Sequence, residues 1–89
     1  MTVTCDLLGE ALTVTRRHID AAPTIRGRLR ALWAGAKHAR RLGAADVVVE
    51  EFVRLGEQAG LDRGVNAAAD LRHVIGWACR DMDPFGRVS

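Results

Sequence analysis

The stretch Thr24–Leu42, TIRGRLRALWAGAKHARRL, decides how this chain folds. It starts directly after Pro23 and runs into Gly43. Ile25, Leu29, Leu32, Ala36 and Ala39 recur at spacings of four and three, the period of one helix face rather than the alternation of a strand. Thr24 is placed to cap the helix start with its hydroxyl. Arg40 and Arg41 fall in the last turn, where cations suit the helix dipole. Gly43 then fits the position just past the end.

Two further segments downstream carry the same period. Asp46–Ala59 has Asp46 as a candidate cap, Glu50 and Glu51 near the positive end, and Val48 or Val49, Phe52, Leu55 or Gly56, and Ala59 on one face. The run Val47-Val48-Val49 has strand character, but period and length favour a helix ended by Gly60. Asn66–Met82 has Asn66 as its cap and Ala67-Ala68-Ala69 as strong helix formers. Its stripe is Leu71, Val74, Ile75 and Ala78, and it is expected to stop before Asp83-Pro84, because a residue preceding proline avoids helical geometry.

Upstream, Asp6–Asp20 reads as a helix through Leu8, Ala11, Leu12, Thr15 and Ile19. The stretch Leu12-Thr13-Val14-Thr15 alternates like a strand, but a lone strand would leave its backbone unpaired. Residues 1–23 are the least strongly patterned part of the chain and can be partly flexible. The expected fold is all-α: a small compact bundle of three to five short helices in a single domain over residues 1–89.

Composition narrows the function classes. The 89 residues are 48% hydrophobic and 27% charged, an ordinary globular balance. No apolar run approaches the ~20 residues that span a bilayer. The start of the chain lacks a basic segment leading into an apolar core, so a cytoplasmic protein is expected. Cys5 and Cys79 lie at opposite ends without a C-x-x-C pair, which fits a reducing compartment and leaves a bridge between them open. His18, His38 and His73 have no metal-ligand spacing, and the sole serine is Ser89. Gly60-x-x-x-Gly64 lacks the Lys-Ser/Thr of a phosphate loop. The pattern therefore points away from an enzyme, with no cofactor and no metal expected.

Charge is unevenly spread. Residues 1–45 hold eight Arg/Lys against three Asp/Glu, a balance of +5; residues 46–89 hold five against eight, or −3. Arg26, Arg30, Lys37 and Arg41 share one helix face, with Trp33 in the gap. This stripe is either a solvated outer face or a surface for an acidic protein or a nucleic acid. The segments Asp46–Ala59 and Asn66–Met82 can also be read as a helix-turn-helix, although Ala67, Ala68, Ala69 and Asp70 offer phosphates little. Trp77 lies at the margin of its stripe, and Pro84 can fold Phe85 back beside it. The pair either closes the bottom of the core or, with neighbouring Val74, lines an apolar groove for a partner helix. The candidate partner-binding residues are Trp77, Phe85, Val74, Trp33, Arg26, Arg30 and Lys37.

The run Asp70-Leu71-Arg72-His73-Val74-Ile75-Gly76-Trp77 ending in Asp83-Pro84-Phe85, with Glu51-Phe52-Val53-Arg54-Leu55 and Ala59-Gly60-Leu61, resembles small helical proteins of rhizobial mobile elements. Within that set the chain is similar to the quorum-sensing antiactivators of rhizobial integrative and conjugative elements, over about residues 45–86. The resemblance implies a non-enzymatic inhibitor. It would bind a LuxR-type transcriptional activator and a second activator of element excision, and so repress conjugative transfer. The alternative is a small helix-turn-helix DNA-binding regulator.

Overall fold

The computed structural model describes the backbone of residues 3–61 and 67–80, and side-chain surroundings for residues 7–61 and 71–80. Four helices follow one another: α1 Val3–Ala21, α2 Ile25–Ala39, α3 Ala45–Gln58 and α4 Ala67–Cys79. No strand occurs among the described residues. The all-α bundle expected from the periodicity is what forms.

The N-terminal segment is helical through Val14 and Thr15 despite their β-branching. Its face of Leu8, Ala11, Leu12, Thr15 and Ile19 packs inward, with Thr15 and Ile19 buried. The Thr13 hydroxyl donates to the Gly9 carbonyl at 3.0 Å, which occupies a side chain that would otherwise compete with the helical backbone. Arg16 and Asp20, one turn apart, form an ion pair at 3.1 Å.

Thr24 caps α2 as its position predicts: its backbone is extended and its Oγ1 accepts the Gly27 N–H at 3.0 Å. Leu32, Ala36 and Ala39 are buried. Ile25 departs from the predicted face and is 62% exposed, because it occupies the first helical position, ahead of the packed turns. The far end also differs from expectation. The helix stops at Ala39, and tight turns continue the chain through Arg41 N–H to His38 O at 3.2 Å and Leu42 N–H to Ala39 O at 2.8 Å. Gly43 therefore does not form the left-handed stop.

At α3 the cap is Ala44, whose extended backbone leads in and whose carbonyl accepts the Val48 N–H at 3.0 Å. Asp46, expected to cap, sits inside the first turn and accepts the Val47 N–H at 2.9 Å. The three valines follow helical rather than strand geometry: Val47 points out, Val48 is fully buried and Val49 is half-buried. Gly60 ends α3 as expected. It takes φ 79°, a conformation open to glycine, and the Gly60 and Leu61 N–H groups bond the Glu57 and Gly56 carbonyls at 3.0 and 2.9 Å. Leu61 is thereby turned into the core.

Helix α4 buries Leu71, Val74, Ile75 and Ala78, the stripe read from sequence. Its proposed cap Asn66, and its expected end at Met82 before Asp83-Pro84, lie outside the described residues.

Helix α2 is the centre of the molecule and touches the other three. Helix α3 packs on α4, while α1 packs on α2 and over a short stretch on α3. Phe52, Ile19, Leu32, Leu71, Ile75 and Val48 are the largest fully buried side chains. Leu32 and Leu71 converge on Gly56, where an added Cβ would lie 3.1 Å from each. The Cα radius of gyration is 12.3 Å, close to the ~12 Å of a folded chain this long.

Candidate functional site

Helix α1 folds back on α2 after a short link, and the two come together at Thr15 and Gly35. A Cβ on Gly35 would overlap Thr15 Oγ1 and lie 2.6 Å from its Cγ2 and 2.9 Å from its Cβ. Glycine is what lets the backbones approach this closely. Outside that crossing the walls diverge into an open groove of about 390 Å³.

Small side chains make the groove. Ala11 on one wall, and Ala34 with Gly35 on the other, leave a shallow floor. Leu7, Val14 and Leu42 stand around it, and His18, His38 and Glu10 complete the lining. Leu7 is 41% and Val14 45% exposed, so two large apolar side chains face water at its mouth. Taking such a side chain from full exposure to full burial stabilises by roughly 1.5–3 kcal/mol, so a partner that covers the part of each still exposed gains somewhat less than about half of that per residue.

The basic stripe borders this groove. Arg30 lies one turn before Ala34 and Arg41 one turn after His38, both exposed. Lys37, between them, holds its ammonium 5.2 Å from the centre of the Trp33 ring. Trp33 itself packs partly against the core. On the opposite rim Arg17 is exposed beside His18, while Glu10 carries the opposite sign.

The proposed site residues thus separate. Trp33, Arg30 and Lys37 belong to the helix that forms one wall, and Arg26 is exposed at its start. Trp77 is on α4, half-buried, with the His73 ring stacked on it at 5.9 Å and 25°. It does not line the groove. Val74 is only 9% exposed and belongs to the buried stripe of α4 with Leu71, Ile75 and Ala78, so it is not a surface residue. Phe85 lies outside the described residues. The lining residues Leu7, Val14, His18, Ala34 and His38 were absent from the sequence-based site. A second apolar row on the first helix, Leu7, Ala11 and Val14, was the signal that could have found them.

Other chemistry is dispersed. Arg72 Nη1 donates to Glu50 Oε1 at 2.9 Å, tying α4 to α3. That hydrogen bond, with the guanidinium charge, holds the Glu50 carboxyl below the usual glutamate range. The bond also engages one of the cations that a helix-turn-helix reading would direct at phosphates. Cys79 is a free thiol, half-buried on α4, and the side chain of Cys5 lies outside the described residues. Burial pushes it up from the ordinary thiol value, against the pull of the Arg40 charge. Among the described residues no three His, Cys, Asp or Glu side chains gather as a metal site. No described helix is long and apolar enough to cross a membrane. Compared with protein-family models, curated proteins and solved structures, the chain matches none.

Proposed function

We propose that this protein is a non-enzymatic, cytoplasmic regulator that works by binding another protein. Its targets on this reading are transcriptional activators: a LuxR-type quorum-sensing regulator and a second activator of element excision, whose inhibition represses conjugative transfer. The observation that carries the reading is the α1–α2 groove, where Leu7 and Val14 stand exposed over a floor of alanine and glycine. Solvent-facing apolar side chains around a concave surface favour a partner. Inhibition by occupying an activator needs a surface and no reacting group, which suits a bundle of this size.

The test uses the purified full-length chain, a purified LuxR-type activator and its promoter duplex in a mobility-shift titration. The expected result is loss of the activator–promoter complex as the chain is added, with the two proteins co-eluting in gel filtration. An activator–promoter complex that persists overturns the reading. So does a sequence-selective, salt-sensitive shift of the duplex by this chain alone, which would instead support the DNA-binding alternative.

A further inference from the structure

We propose that the α1–α2 groove seats an amphipathic helix of the partner, with carboxylates concentrated along the flank that faces α2. This rests on the reading of the chain as a protein-binding regulator, and specifies which surface does the binding and what it recognises.

Shape gives the first part. From Leu7 to His18 the α1 wall spans twelve residues, about 16.5 Å at a rise of 1.5 Å per residue. That is three turns of a helix laid alongside, enough for apolar side chains at positions i, i+3 or i+4, and i+7. The shallow floor at Ala11, Ala34 and Gly35 receives those side chains. Leu7 and Val14 close over them from one side.

Charge gives the second part. The α2 rim carries Arg30, Lys37 and Arg41, one after another along the groove. The α1 rim is mixed, with Arg17 at one end and Glu10 toward the other. A partner helix with acidic residues on its α2-facing flank meets attraction along its whole length, and complementary potentials of this kind set register and steer encounter. On the α1-facing flank, Glu10 disfavours a carboxylate.

The same charges argue against other occupants. Two copies of this chain placed groove to groove would either bring their basic rims together or set each against the mixed α1 rim, which offers Glu10 but also Arg17. Helix α3 of a second copy is acidic, with Asp46, Glu50 and Glu57 exposed, but its apolar stripe of Val48, Phe52 and Leu55 is already spent in its own core. A nucleic acid would meet the cations yet leave Leu7 and Val14 uncovered.

The experiment pans a displayed library of random 16-residue peptides on the full-length protein, then measures the enriched peptides by fluorescence anisotropy. Enriched sequences are expected to have a helical apolar stripe with Asp or Glu along one side. Val14→Asp changes an exposed residue and is expected to weaken them by about tenfold or more, the scale of a true anchor. Ala34→Gln fills the floor from the other wall at an exposed helical position and is expected to do the same. It keeps the test decisive if Val14→Asp lowers helicity. The pair Arg30→Glu and Arg41→Glu is expected to weaken acidic peptides several-fold and to enrich basic ones in a fresh selection. The proposal falls if no peptide enriches, if the peptides lack an acidic flank, or if Ala34→Gln binds them as well as the unaltered chain. Competition by duplex DNA, or a dimer in sedimentation that Val14→Asp dissolves, also overturns it. Failure of the functional reading looks different: the peptides then bind as described while the activator–promoter complex is untouched. Conversely, an activator inhibited equally well by Ala34→Gln leaves the regulator reading standing and removes only this groove.

Discussion

Gly35 sets how closely the first two helices lie. Replacing a helical glycine by alanine ordinarily stabilises by about 1 kcal/mol. At Gly35 the new methyl would strike Thr15, whose branched side chain is stiff and whose own Cβ, 2.9 Å away, cannot rotate aside. Overpacking of this sort costs about 1–3 kcal/mol. Gly35→Ala is therefore expected to be net destabilising by up to roughly 2 kcal/mol, lowering the melting midpoint by about 4–8 °C per kcal/mol for a domain this small. Gly9→Ala and Gly76→Ala meet nothing within 4 Å and are expected to raise it slightly. Circular-dichroism melts of the three variants check the contrast, and a Gly35→Ala midpoint at or above the parent's would mean that the crossing is looser than it looks. None of this was legible in the sequence. Gly9, Gly35 and Gly76 all read there as glycines inside helical patterns, and only the neighbour across the interface tells them apart.

Helices were the most legible scale, because each buries one stripe and a stripe has a period. The faces of α3 and α4 were readable for that reason, and so was the Thr24 cap, since a hydroxyl just before a helical run has few other uses. Ends set by competition were not. Asp46 was a credible cap, but Ala44 already supplies the extended residue, and the carboxylate serves two residues further on, inside the first turn. The ion pair between α3 and α4 was equally hidden, because Glu50 and Arg72 lie far apart in sequence. The Glu50 carboxyl is depressed by Arg72, so whatever the pair contributes is fully present above the ordinary glutamate range and lost as pH falls through the lowered folded value. Arg72→Leu is expected to move the Glu50 carboxyl up toward that ordinary range in an NMR titration. The melting midpoint should barely change, since both side chains are largely exposed and exposed pairs add little. A Glu50 titration unchanged by Arg72→Leu would show that the pair does not persist in solution.

On the scale of the whole molecule, α2 is central and α1 lies at the edge, held by α2 and a short contact with α3. Stability is then unevenly distributed. Amides in the first half of α1, around Leu8 to Leu12, are expected to exchange with deuterium by local opening. Those around Phe52 and Ile75 should wait for global unfolding. Equal protection in both regions would mean that α1 opens only with the rest. The groove sits on this edge helix, and its invisibility in sequence has the same origin: one wall comes from the least patterned segment, where Leu7 and Val14 lie off the main stripe of Leu8, Leu12, Thr15 and Ile19. The meeting of Leu32 and Leu71 at Gly56 bears on how the chain is made. At about 5–20 residues per second the ribosome needs roughly 4–18 s for these 89 residues, whereas small helical bundles fold in microseconds to milliseconds. The α1–α2 hairpin therefore leaves the ribosome before Leu71 is free to cover Leu32. During that interval the nascent chain shows water the apolar side of its central helix, so birth, more than folding, is the step at which a chaperone has time to meet it.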